Sequence, residues 1–143
     1  MESALTLHNA RFTSGDVAPT RDFQHPATAS VFGSEILQVV SNLLLNALDA
    51  LPKENAKMSM RVRTQGDAVT ITVSDNGSGM TPEVMKRLFQ PYRSTKENGT
   101  GIGLWLSKGI VDHHRGSLRV RSSQAKGREG TTFRLSIPLK FAA

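Results

Sequence analysis

A chain of 143 residues holds one domain with room for a real core, and its 38% hydrophobic and 21% charged residues are ordinary for a folded globular protein. It contains no cysteine, which excludes a disulfide framework and any thiolate metal site. The net charge of +6, with about two thirds of the lysines and arginines after position 85, suits an anionic partner; aromatics at 6% are too sparse among them for nucleic-acid binding.

In chain order, residues 1–14 predict a short helix with Leu5, His8 and Phe12 on one face. The start, Met1-Glu2-Ser3-Ala4, lacks the basic and apolar regions of a secretion signal, so a cytoplasmic location is expected, with the parent protein free to be membrane-anchored. The segment from Asp16 to Phe32, with Pro19 and Pro26, reads as an edge strand between loops. Gly33-Ser34 then offers an N-cap for a long helix, in which Ile36, Val39, Val40, Leu43, Leu44, Ala47, Leu48 and Leu51 recur at helical spacing until Pro52. That run is broken by Gln38, Ser41, Asn42, Asn46 and Asp49 and falls short of the roughly 20 apolar residues of a membrane span, so no direct membrane contact is expected. Residues 58–63 and 69–73 alternate around Gln65-Gly66-Asp67 and predict a hairpin; residues 103–114 predict a last helix; residues 118–121 and 132–137 predict a second hairpin. Hairpins separated by helices imply an α+β layer, one sheet covered by helices on one face.

Three segments carry chemistry. On the long helix, Asn42, Asn46 and Asp49 stand at i, i+4 and i+7 and line one stripe, which Glu35 extends. Such amides and carboxylates suit a hard cation and phosphate oxygens, although the same stripe could be a solvated face. Asn is a weak helix former, so two of them mid-helix favour the ligand reading. At a predicted strand end, Asp75-Asn76-Gly77-Ser78-Gly79 combines a carboxylate, able to accept from an exocyclic amine such as adenine's, with glycines that let backbone approach a flat ligand. Asp-Asn-Gly is also common turn chemistry. Finally, Asn98-Gly99-Thr100-Gly101-Ile102-Gly103-Leu104 places alternating glycines at a helix start, where backbone N–H groups and the helix dipole favour an anion. It matches neither the P-loop nor the dinucleotide-binding glycine pattern.

Taken in order, with Gly130-Thr131-Thr132-Phe133 following, these segments resemble the Bergerat-type ATP-binding fold of the GHKL superfamily over about residues 35–139. The resemblance implies a single domain over 1–143: a two-layer sandwich with a mixed, mostly antiparallel sheet of about five strands, covered on one face by about three helices. Residues 1–34 would give the first helix and edge strand, and 80–102 a mobile ATP lid. It implies ATP and Mg²⁺ as cofactors. Asn46 would be the metal ligand, with Asn42 and Asp49 beside it. Asp75 would take the adenine amine, with Gly77 and Gly79 shaping the pocket and Thr132 hydrogen-bonding near Asp75. Gly99, Thr100, Gly101, Gly103 and Leu104 would form the second glycine box.

Within the lid, Phe89-Gln90-Pro91-Tyr92-Arg93-Ser94-Thr95-Lys96 resembles the F box of sensor histidine kinases. Lys96 would contact phosphate, with Arg93 a weaker candidate and Phe89 packing the lid. Hydrolytic members of the superfamily place a water-activating glutamate four residues before the metal-binding Asn. Here that position is Asn42, an amide that cannot act as a base, which favours transfer to a protein acceptor. The expected function is therefore the catalytic half of a two-component kinase. It would pass a γ-phosphoryl group to a histidine on a separate dimerisation domain and, indirectly, to a response regulator. A serine kinase of the anti-sigma-factor type and a nucleotide-dependent interaction module without kinase activity are the alternatives. None of the four histidines resembles the acceptor, so the substrate helix is expected on another domain. The family commonly shows His-Gly-Gly where this chain has His114-Arg115-Gly116, so Gly116 is expected to supply the positive φ at that helix exit.

Overall fold

The computed structural model describes residues 20–23, 33–91 and 102–138. The predicted N-terminal helix, the lid segment 92–101 and the last residues lie outside that set. Strands β1 (Thr20–Phe23), β2 (Met58–Gln65), β3 (Ala68–Asp75), β4 (Ser117–Ser123) and β5 (Gly130–Pro138) form one five-stranded sheet in the order β1-β2-β3-β5-β4. Strand β1 runs parallel to β2, and every other pair is antiparallel, so the sheet is mixed and mostly antiparallel, as expected.

Among the described residues there are three helices: α1 (Gly33–Ala50), α2 (Pro82–Lys86) and α3 (Gly103–His113). Helix α1 begins with Glu35 in its first turn, favourable at the positive end of the dipole, and ends just before Pro52. It buries Ile36, Val39, Val40, Leu43, Leu44 and Ala47, packing on β3 and α3, while α3 packs on β4. These meet alternate residues of the sheet, Met60, Ile71, Val73, Phe133, Leu135 and Ile137, in one core. The period of two in the strands and of 3.6 in the helix thus converge on a single apolar layer. Each fully buried aliphatic side chain stabilises this layer by about 1.5–3 kcal/mol.

Helix α2 was not foreseen as a separate element. Thr81 caps it by accepting from the Val84 N–H at 3.2 Å, and Pro82 occupies the first turn, where its missing N–H costs nothing. Leu88 and Phe89 follow and pack against the core, as does Met80 before the helix.

The exit of α3 corrects the expectation placed on Gly116. Arg115, not Gly116, adopts positive φ, at 55°. The N–H of Arg115 reaches the Asp112 carbonyl at 3.0 Å, and that of Gly116 reaches the Val111 carbonyl at 2.9 Å. That pair of bonds is a Schellman motif with Arg in the left-handed position glycine normally takes. Gly116 is required for another reason: a Cβ there would stand 2.3 Å from the Ser136 carbonyl oxygen. His114, the residue before Arg115, is fully buried, its Nδ1 2.8 Å from the Ile110 carbonyl.

Candidate functional site

The predicted site residues that are described gather where the C-terminal half of α1, the end of β3, the start of β5 and the start of α3 converge. Asp75 closes β3, with its Oδ1 accepting from the Gly77 N–H at 2.8 Å. Burial raises its pKa above the usual carboxylate value of 3.8, while hydrogen bonds from the Gly77 and Thr131 backbone N–H groups oppose that shift. Asn76, the next residue, turns the other way and pins the loop after α1. Its Oδ1 accepts from the Lys57 N–H and its Nδ2 donates to the Asn55 carbonyl, both at 2.7 Å.

The glycines divide by role. At Gly77 a Cβ would lie 2.3 Å from the carbonyl oxygen of Ala50, the last residue of α1, so this glycine lets the loop close against the end of the Asn-bearing helix. Gly79, with φ +75°, would meet the Ser123 carbonyl oxygen at 2.0 Å. At Gly103 the nearest atoms belong to the Asn42 side chain at 3.7 Å, an ordinary contact, so nothing in the fold forbids a side chain there. Gly99, Thr100 and Gly101 lie outside the described residues, as do Arg93 and Lys96.

Asn42 joins two of the boxes directly. Its Nδ2 donates to the Gly103 carbonyl at 3.2 Å and to the Ser107 hydroxyl at 3.1 Å, tying α1 to the first turns of α3. Helix α3 has Ile102 at its cap position, a residue whose side chain makes no cap hydrogen bond to the helix. Leu104, expected at the nucleotide, packs against the core. Asn46 is half-buried one turn after Asn42, and Asp49 is exposed near the end of α1. Glu35 stands apart from this cluster: its Oε2 is 3.7 Å from Nε2 of His114, near the far end of α3.

Thr132 requires a correction. Asp75 is paired across the sheet with Thr131, and Ser74 with Thr132. Paired residues share a face, so Thr131 stands with Asp75 on the helix-covered side, and Thr132 turns to the open side, where its hydroxyl is 3.0 Å from that of Ser74. Thr131 is buried, and its hydroxyl lies 2.8 Å from that of Ser122. Ser122 was not anticipated. Its Oγ donates to the Gly130 carbonyl at 3.1 Å and accepts from the Met80 N–H at 2.8 Å, so it ties the glycine loop to the start of β5. Gly130 fits the same crossing, since a Cβ there would be 2.2 Å from the Asp75 carbonyl oxygen.

The first turn of α3 exposes Trp105 (47%) and Leu106 (39%). They border a groove of about 390 Å³ together with Glu35, Ile110 and His113. Among the described residues no helix is long and apolar enough to cross a membrane.

The family model for histidine kinase-, DNA gyrase B-, and HSP90-like ATPases matches residues 33–141. The C4-dicarboxylate transport sensor protein DctB of Rhizobium meliloti is 36% identical over 140 residues, 96% of this chain and 22% of that protein. The sensor histidine kinase ZraS of Salmonella typhimurium is 39% identical over 131 residues, 86% of this chain and 28% of that protein. Sporulation kinase B of Bacillus subtilis is 36% identical over 105 residues, 73% of this chain and 24% of that protein. The chain thus spans about a quarter of the length of these relatives. Among solved structures, the catalytic domain of histidine kinase ThkA superposes with a TM-score of 0.84 at 23% identity, covering 97% of this chain and 90% of that one. With residues 33–141 matched, the chain belongs to the histidine kinase-, DNA gyrase B- and HSP90-like ATPase family.

Proposed function

We propose that this domain binds Mg-ATP and presents the γ-phosphoryl group to a histidine on a separate dimerisation domain of a longer sensor kinase. The observation that carries the reading is the junction made by Asn42, which holds the Asn-bearing helix against the start of α3 while Gly77 holds the Asp75 loop against the other end of that helix. An adenine-reading carboxylate, a metal-binding amide and a set of helix-start amides thereby share one cleft.

The residues present fit the ligand. Asp75 is half-buried yet retains acceptor capacity beyond its bonds to two backbone N–H groups, which suits a single exocyclic amine. Asn46 would offer an amide oxygen to Mg²⁺, a hard cation that prefers oxygen. The first N–H groups of α3 would face phosphate oxygens, helped by the helix dipole. Thr131, rather than Thr132, would support the adenine beside Asp75. By resemblance Lys96, Gly99, Thr100 and Gly101 would complete the phosphate contacts. When bound, Mg-ATP supplies the phosphoryl donor together with the metal charge that offsets its own. The protein's part is positioning and electrostatic stabilisation.

Asn42 favours transfer over hydrolysis. It stands where hydrolytic members carry a base, and its amide is engaged as a strut to Gly103 and Ser107. The test is calorimetry of Mg-ATP with the native chain, Asp75→Asn and Asn46→Asp, followed by phosphoryl transfer in trans to the separate acceptor domain. Tighter binding by the native chain than by either variant, with labelling of the acceptor histidine, is expected. Tight Mg-ATP binding with an unlabelled acceptor would sink the kinase reading and leave a nucleotide-dependent interaction module.

A further inference from the structure

A row of three polar side chains crosses the sheet beside the glycine loop. Asp75 on β3, Thr131 on β5 and Ser122 on β4 are cross-strand partners and share the helix-covered face. The row is closely bonded. The Asp75 carboxyl accepts from the backbone N–H groups of Gly77 and Thr131, and the hydroxyls of Thr131 and Ser122 are 2.8 Å apart.

The bonds around Ser122 fix where each hydroxyl proton lies. A hydroxyl has one proton to give and two lone pairs. The Gly130 carbonyl can only accept, so its 3.1 Å bond to Ser122 takes the Ser122 proton. The Met80 N–H can only donate, and at 2.8 Å it takes one Ser122 lone pair. Only the other lone pair is left for Thr131, so the proton between the two hydroxyls comes from Thr131. Thr131 Oγ1 then has nothing but lone pairs to offer, beside an Asp75 that is also acceptor-only when ionised. Thr131 is buried and Ser122 half-buried, an environment that strengthens such bonds over those in open water.

We propose that Ser122 determines base specificity in the nucleotide pocket. By holding the Thr131 proton it makes the edge beside Asp75 a pure acceptor, which selects a base presenting an amine over one presenting a carbonyl. The proposal rests on the nucleotide reading above and deepens it. Ser122 acts through Thr131 and is a positioning residue, not a catalytic one. An exocyclic amine has two protons to offer such an edge. A carbonyl in its place sets lone pairs against lone pairs and leaves buried acceptors unpaired, the kind of mismatch that a polar site rejects strongly.

The affinities of the intact chain for Mg-ATP and Mg-ITP, measured by calorimetry, test it. The two nucleotides share ribose and triphosphate. ITP carries a ring carbonyl and a protonated ring nitrogen where ATP carries the exocyclic amine and a bare ring nitrogen. The native chain is expected to prefer ATP. Ser122→Ala should lower that preference about tenfold, because the freed Thr131 hydroxyl can turn and donate to the carbonyl. Ser122→Thr keeps a hydroxyl and should retain the native preference. Thr131→Val should also lower the preference, and adding Ser122→Ala to it should lower it no further. Melting curves check that each variant folds; if Ser122→Ala does not, Thr131→Val decides by the sign of its change. A stronger preference for ATP in Thr131→Val would show Thr131 donating, and would overturn the proposal. Equal weakening of both nucleotides in Ser122→Ala would reduce Ser122 to a structural tie and overturn it too. A folded native chain that binds neither nucleotide would instead sink the nucleotide reading, and this proposal with it.

Discussion

Asp75 is asked to do two opposed things: to sit half-buried at a strand end, which favours its neutral form, and to accept hydrogen bonds, which the carboxylate does more strongly. Its folded pKa is raised, so the stability it contributes is full below the unfolded value near 3.8 and is lost as pH rises through the folded pKa. Ionised Asp75 therefore costs the empty fold some stability at neutral pH. We predict that the difference in melting temperature between Asp75→Asn and the native chain shifts in favour of the variant as pH rises from the acid range to neutrality. The same substitution should weaken Mg-ATP binding by about tenfold to a hundredfold, the loss expected for one hydrogen bond to a charged group. Native affinity should fall on acidification through the raised pKa, whereas the residual affinity of Asp75→Asn should not follow that titration; parallel pH profiles would contradict the assignment. Arg115 gives a second residue-scale test. A non-glycine residue in the left-handed region costs about 1–2 kcal/mol, partly offset by the greater freedom of glycine in the unfolded chain. Arg115→Gly should raise stability by about 0.5–1 kcal/mol in urea unfolding, with Mg-ATP affinity unchanged.

At the scale of elements, the glycines separate packing from ligand approach. Gly77 closes on Ala50 and Gly79 closes on Ser123, while Gly103 has room for a methyl group. Gly77→Ala should therefore lower the unfolding midpoint by more than Gly103→Ala, by roughly 1–3 kcal/mol as expected for overpacking. Gly103→Ala should instead keep the fold and reduce nucleotide affinity if backbone must approach phosphate there. Equal stability in the two variants would show the Gly77 contact relaxing freely. How far the elements were legible follows the same physics. The alternation of apolar residues announced four of the five strands, and the stripe on α1 announced its buried face. Helix α2 escaped notice because five residues cannot establish a helical period, although Thr81-Pro82-Glu83 carried a cap signal. The Asp75 partner was displaced by one residue because a Gly-x-Thr spacing was followed instead of strand parity. Thr131, Phe133, Leu135 and Ile137 alternate as one buried set, and that alternation places Thr131, not Thr132, on the helix side. Ser122 was not legible, since its three partners come from the glycine loop and the start of β5 and meet only through the β4–β5 register.

For the molecule as a whole, the two-layer fold gives its two sides different surfaces. The helix layer frames the cleft, and the open sheet face carries Arg61, Arg119 and Arg134. The chain spans about a quarter of its curated relatives, so under the proposed function the phosphate acceptor must be brought to the cleft from another domain. An incoming helical domain needs apolar surface near the phosphates, and the first turn of α3 exposes Trp105 and Leu106 within two or three residues of Gly103. An exposed tryptophan beside a groove is a common anchor, since truncating such a residue costs an interface about 2 kcal/mol or more. Trp105→Ala should therefore leave Mg-ATP affinity unchanged by calorimetry while raising the acceptor-domain concentration needed for half-maximal transfer by at least about tenfold. The rate at saturating acceptor should change little, because the substitution removes docking and leaves the cleft intact. A loss confined to the saturated rate would instead place Trp105 in positioning the donor. An unchanged concentration dependence would move the acceptor's seat elsewhere on the helix layer.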